Sequence, residues 1–223
     1  MSRTEDIDCA GLRNKLYTAV LSDVMDAMGY PHQAMRPFIR PIVDDTIVFG
    51  PVRTGLFVPI YEVTDGENPY EVEIELIDDL QPGEVAVFAC DGPTERLTPW
   101  GELLTTAAIH RRAAGFVTDG LIRDVRAIRE TGFPVFHGGF GPLDTRGRGK
   151  MVARDTRVEC GNVPVRSGDY VYGDIDGVVV IPKEIVTEVI ARAAEKIDGE
   201  NTTRDDIRAG VPLGEVYRKY GIL

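Results

Sequence analysis

The sequence is short of cysteine and histidine, has a single tryptophan and contains no long apolar run. Cys9, Cys90 and Cys160 lie far apart and form no CxxC pair. Neither a disulfide framework nor a thiolate zinc site is indicated, and a reducing cytoplasm fits best. The three histidines, His32, His110 and His137, show no HxxxH or HExxH spacing. GxSxG, P-loop and convincing dinucleotide fingerprints are missing. Positive charge is scarce, with Lys+Arg at 25 against Asp+Glu at 36 and a net charge of -11. Such a chain has no field for broad binding to nucleic acid or an anionic membrane. No apolar stretch nears the roughly 18–20 residues that span a bilayer. The start, MSRTEDIDCAGLRNKLYTAV, is too charged for a signal peptide. The expectation is a cytoplasmic protein with neither nucleic acid nor membrane as partner.

Apolar residues make up 43% of the chain, ample for the core of one domain over residues 1–223. Leu12, Leu16, Val20, Val24 and Met28 stand at helical spacing in residues 10–29, either as one helix or as two with Ser22 capping the second. EVEIELIDDL alternates like a half-buried strand, although a short helix is open to it. Residues 84–137 then read strand (EVAVFAC), helix (WGELLTTAAIHRRAAG, ended by Gly115), strand (FVTDG), helix (VRAIRETG, closed by Gly132) and strand (PVF). This order predicts parallel pairing through right-handed crossovers. Short β segments fill residues 150–181, and the last 40 or so residues are helical, with Ile185, Val189, Ala193 and Ile197 in one stripe. The predicted fold class is α/β, a layered α/β/α-type core with a mixed sheet and helical N- and C-terminal ends.

Ligands of such sheets gather beyond the carboxyl ends of the strands. Here EVAVFAC runs into Asp91-Gly92, FVT into Asp119-Gly120, and PVF into His137-Gly138-Gly139. Arg123-Asp124 lies just past the second of these. A carboxylate there can hold Mg²⁺ or Mn²⁺, and an arginine fork suits a substrate carboxylate. The free amides at the start of WGELL form an anion cradle. A plainer account uses the same residues: Asp124 as N-cap of helix 125–131, and Arg123 in a surface ion pair with Glu102 or Asp119. His110 reads as surface or core. The loop GGFGPLDTRGRGK opens no helix, and Lys150 has no Schiff-base context.

WGELLTTAAIHRRAAGFVTDGLIRD, with PVF, GDYVYGDIDGVVVIP and the ending GENTTRDDIRAGVPLGEVYRKYGIL, resembles the RraA-like family. That family includes 4-hydroxy-4-methyl-2-oxoglutarate aldolases, related oxaloacetate decarboxylases and regulators of ribonuclease E activity. The most specific mark is an acidic residue, twenty residues, then Arg-Asp: Glu102, residues 103–122, Arg123-Asp124. The resemblance implies a metal-dependent class II pyruvate aldolase, or lyase, acting on small 2-oxo acids. It implies Asp124 as the direct ligand of Mg²⁺, Mn²⁺ or another divalent cation. It implies Arg123 on the keto and carboxylate region, and Gly101, Glu102, Leu103 and Leu104 as the loop whose amides hold the pyruvyl carboxylate. Glu200, with Glu195 as second choice, is expected to reach the metal through water from a neighbouring subunit of a homotrimer or hexamer. The helical tail, about 183–223, is expected to pack on that neighbour. Glu102 stands where the aldolases often have Asp, and the regulator branch tends to lack an acid there. A regulator of ribonuclease E and a related sugar-acid lyase or dehydratase are the alternatives. The 138–149 loop is expected in the pocket wall, with His137, Arg146 and Arg148 as candidates for a distal carboxylate.

Overall fold

The computed structural model describes residues 7–221. Residues 1–6 of the charged start, and the last two residues of the family-like ending, lie outside the described residues. Seven helices are present among these: α1 (Cys9–Leu12), α2 (Thr18–Ala27), α3 (Glu71–Asp79), α4 (Glu102–His110), α5 (Val125–Thr131), α6 (Val186–Arg208) and α7 (Leu213–Tyr220). The strands are β1 (Arg40–Pro41), β2 (Val48–Pro59), β3 (Val85–Ala89), β4 (Gly115–Thr118), β5 (Leu121–Ile122), β6 (Val135–His137), β7 (Gly139–Phe140), β8 (Gly149–Arg154), β9 (Val158–Cys160), β10 (Val163–Val165), β11 (Tyr170–Asp174) and β12 (Gly177–Ile181).

The main sheet runs β1-β6-β4-β3-β2-β11-β12, with β8 also on β2. β2, β3, β4 and β6 pair in parallel, as the alternating order predicts. β1, β8, β11 and β12 add antiparallel partners. β3 and β4 are buried at every position, which is why both read as unbroken apolar runs. The sheet curls until its two edges are near neighbours: Arg40 on β1 donates from Nη1 to the carbonyl of Asp176, in the turn between β11 and β12, at 2.7 Å. Val52, Val87, Val117, Phe136, Val171 and Val180 fill the inside of this nearly closed sheet, capped by the β9–β10 hairpin. α3, α4 and α5 cover part of the outside with Leu76, Ile77, Ala108 and Ile128. α2 and the first half of α6 cover the rest, through Val20, Leu21, Val24, Val186, Val189 and Ala193 of the same chain. The expected mixed α/β core and helical ends are therefore present.

Three local expectations need correction. The N-terminal helical stretch breaks at residues 13–17, so Ser22 lies inside α2 and caps nothing. EVEIELIDDL is helix α3, because Glu73, Leu76, Ile77 and Leu80 share one buried face at helical spacing. α4 stops at Arg111-Arg112, where Arg112 takes φ 60, and Gly115 already belongs to β4.

Asp119, at the end of β4, ties three segments below the site. Its buried carboxylate accepts the amides of Cys90 at 2.7 Å, Gly92 at 3.1 Å and Gly161 at 3.3 Å. Burial pushes its pKa up, and the three amides pull it back. Asp119→Ala strands these donors and is expected to destabilise the fold by about 3 kcal/mol or more. A urea titration giving a loss under ~1 kcal/mol would contradict that role.

Candidate active site

A short parallel bridge explains the spacing that singled out Glu102 and Arg123-Asp124. Trp100 pairs with Ile122, and the Arg123 amide donates to the Trp100 carbonyl at 3.0 Å. Two residues further along both segments, the Glu102 amide donates to Asp124 Oδ2 at 3.2 Å. Trp100 is anchored by stacking on Phe116 at 3.8 Å and by donating from Nε1 to Thr105 Oγ1 at 2.8 Å. Gly101 permits the approach: a Cβ there would lie 2.7 Å from Asp124 Oδ2 and 3.2 Å from Arg123 Cγ.

Asp124 occupies the N-cap position of α5 with φ 57, but its side chain makes no capping bond. The carboxylate turns instead to the positive end of α4, a neighbouring helix. Arg123 lies 3.6 Å from Asp124 and 3.7 Å from Asp144, and does not form the ion pair with Glu102 or Asp119 that the plainer account allowed. Both side chains stay partly exposed, so neither pair is an interior ion pair.

These groups open on a cleft of about 450 Å³. Gly101, Leu103, Leu104, Arg123 and Asp124 line it, so five of the expected site residues come together in one chain. Glu102 joins them through its amide, while its carboxylate accepts the Thr106 hydroxyl at 2.8 Å along its own helix. The 138–149 loop does supply a wall, through Asp144 and Thr145 rather than Arg146 or Arg148. Arg148 donates to the Asp144 carbonyl at 3.1 Å and so braces that wall from behind. His137 is buried against Phe140, outside the cleft lining, and burial with the charge of Arg129 lowers its pKa to about 4. Lys150 is ion-paired with Glu67 at 2.5 Å. Glu200 is elsewhere in the chain: it accepts the Tyr17 hydroxyl and sits 3.8 Å from Arg204 and 3.9 Å from Lys196. Glu195 is exposed on α6.

The sequence reading missed the third wall, formed by Tyr70, Glu73, Ile74 and Thr98. Tyr70 donates to Asp144 Oδ2 at 2.8 Å. Partial burial raises the Asp144 pKa, but that bond, the Arg146 amide and Arg123 bring it below the usual carboxylate value. Glu73 is only 5% exposed. Burial first, then the negative Asp144, pushes its carboxyl up to about 8 against the pull of Arg123. It is therefore mostly protonated at neutral pH. The signal was available: on a helical reading of EVEIELIDDL, Glu73 falls on the apolar face. The strand reading hid it among the outward glutamates.

The family model described as RraA-like, Aldolase/RraA, matches residues 18–180. The chain belongs to the RraA-like family. It is 32% identical over 198 residues to a protein of Halalkalibacterium halodurans named "Putative 4-hydroxy-4-methyl-2-oxoglutarate aldolase", covering 88% of this chain and 86% of that one. It is 27% identical to protein DlpA of Legionella pneumophila, covering 91% of this chain but 32% of that longer protein. Among solved structures, Streptomyces coelicolor RraAS2, described as an unusual member of the RNase ES inhibitor RraA protein family, superposes with a TM-score of 0.80 at 26% identity. The match covers 91% of this chain and 98% of RraAS2.

Proposed function

We propose that this RraA-like chain is a divalent-metal-dependent carbon–carbon lyase. It cleaves a 4-hydroxy-2-oxo acid, decarboxylates oxaloacetate, or does both, through the enolate of pyruvate. The observation that carries the reading is the convergence of Arg123, Asp124 and the start of α4 on one cleft. The aldolase name of the 32%-identical relative supports it.

Asp124 fits a Mg²⁺ or Mn²⁺ ion. Its carboxylate is exposed and free of capping duty, and one protein carboxylate with several waters suits a small hard cation. Among the described residues no cluster of three or more His, Cys, Asp or Glu offers a fuller cage. Such an ion would rest on Asp124 and water, with Glu200 of the partner subunit as the further anchor in a homotrimer or hexamer. Its chemistry when bound is Lewis-acid polarisation of the keto oxygen. The chain's own residues do the rest. The Leu103 and Leu104 amides have no acceptor inside α4 and are left for the substrate carboxylate, since Asp124 takes the amide of Glu102. Arg123 sits where it can hold the keto and carboxylate oxygens as negative charge grows on them. Glu102 would swing from Thr106 to orient water at the cleft mouth.

A pyruvate-coupled screen of 2-oxo acids with Mg²⁺ and Mn²⁺ tests the reading. Turnover is expected to vanish in EDTA and to return with Mg²⁺, and Asp124→Ala is expected to lose that response. Turnover that survives EDTA would remove the metal from the proposal. The likeness to RraAS2 favours a second reading, a protein-binding regulator of an RNA-degrading enzyme. Stoichiometric binding to such a ribonuclease, with no turnover of any 2-oxo acid, would establish that one instead. A sugar-acid substrate for the same cleft would show in the same screen.

A further inference from the structure

Asp144 faces the cleft from a glycine-rich loop, yet both of its carboxylate oxygens and its carbonyl are engaged. Oδ2 accepts the hydroxyl of Tyr70, the N-cap residue of α3, at 2.8 Å. Oδ1 accepts the Arg146 amide at 3.4 Å, and the carbonyl accepts Arg148 Nη1 at 3.1 Å. The side chain is nevertheless 40% exposed. Fixing a carboxylate that water could solvate costs conformational entropy, and the group it is fixed against is Arg123.

Arg123 Nη1 lies 3.7 Å from Asp144 Oδ1, while its Nε lies 3.6 Å from Asp124 Oδ2. The two acids therefore stand at different nitrogens of one rigid, planar guanidinium. Two such points leave the plane little freedom except rotation about the line between them, and Nη2 is left for a ligand. Asp124 also accepts the Glu102 amide and, on the lyase reading, serves a cation. Asp144 has no such second duty toward the substrate. We propose that Asp144, held by Tyr70, is a positioning residue that fixes the Arg123 fork in the orientation that meets the developing enolate. The inference rests on the lyase reading above. Tyr70 remains a donor across the working range, because burial first, and then its bond to Asp144, push its pKa up to about 12.

Pyruvate release from 4-hydroxy-4-methyl-2-oxoglutarate and from oxaloacetate, with Mg²⁺ present, gives kcat and KM for each variant. Asp144→Asn keeps an acceptor for Tyr70 and removes the charge that faces Arg123. It is expected to lower kcat about tenfold, since a misplacement of about 1 Å costs on the order of a hundredfold. KM is expected to hold or to fall by up to about threefold, because a cleft that binds an anion has lost a negative charge. A wall that merely loosened would raise KM as kcat fell. Tyr70→Phe is expected to lower kcat about threefold in the parent and to have no further effect beside Asp144→Asn, because the hydroxyl acts through that carboxylate. Wild-type kcat in Asp144→Asn, a fall in kcat matched by a rise in KM, or losses that multiply independently in the double variant would each overturn the positioning role and leave the lyase reading standing. A wild type that releases pyruvate from neither acid overturns that reading on these substrates, and the positioning role with it.

Discussion

On the proposed lyase reading, Arg123→Ala is expected to lower kcat/KM for the cleaved 2-oxo acid by about a thousandfold or more. Two effects add. The first is loss of the charged fork that meets oxygens on which negative charge grows, an interaction stronger in the transition state than in the substrate. The second is exposure of the acids that Arg123 balances. Asp124 and Asp144 both lie within 3.7 Å of its guanidinium, so an anionic substrate would enter a cleft of uncompensated carboxylates. Arg123→Lys restores the charge but not the planar fork, and is expected to recover only part of the loss. Stability should move little. The side chain is 36% exposed and its ion pairs are of the surface kind, worth at most ~1 kcal/mol each. Steady-state pyruvate release and a thermal melt, run on the same samples, separate the two properties. An Arg123→Ala protein with wild-type turnover would sink the role given to this residue, whatever its melting temperature.

How far the site could be read from sequence depended on which elements carried it. Arg123-Asp124 and the WGELL segment stood out because a strand-to-helix junction and a helix start are written locally, in Gly, Asp and apolar spacing. Their union came only through the family resemblance, whose mark is the count of residues between Glu102 and Arg123. The physical basis of that count, the pairing of Trp100 with Ile122, needed the fold. Pattern alone allowed Asp124 to be an ordinary helix cap. It holds the cap position yet bonds the amide of a different helix, a tertiary choice that no local propensity encodes. The α3 wall was hidden for another reason. EVEIELIDDL satisfies period 2 and period 3.6 over the same ten residues, and the two readings send Glu73 to opposite environments. Asp144 was obscured in turn by a glycine-rich loop with no periodicity at all. Glu200 came from the family resemblance alone, and within the chain it meets Tyr17, Lys196 and Arg204, away from the cleft.

Glu73→Gln is expected to stabilise the protein, and to do so more strongly as pH rises. In the unfolded chain this carboxyl ionises near 4.5, and in the folded protein near 8. Between these values the unfolded state releases a proton that the folded state retains. Folding then takes up a proton, and stability falls by about 1.4 kcal/mol per pH unit. The contribution of Glu73 is thus intact below pH 4.5, declines through the neutral range and levels off above pH 8. Glutamine occupies nearly the same volume and never ionises, so it escapes this loss. The gain over wild type is expected to be under about 1 kcal/mol at pH 5 and about 3 kcal/mol at pH 7. The latter corresponds to a rise in Tm on the order of 5–10 °C for a domain of this size. The groups that set the shift sit on other elements: Asp144 opposes ionisation of Glu73, Arg123 favours it, and Tyr70 holds Asp144 in place. Asp144→Asn should accordingly shrink the difference between the glutamine variant and its parent. Melts of both proteins from pH 5 to pH 8 decide the matter. A stability gap that does not widen with pH would mean that Glu73 is ionised in the folded protein, with a proton donor or cation beside it. A gap that widens shows an acid kept buried at a stability cost.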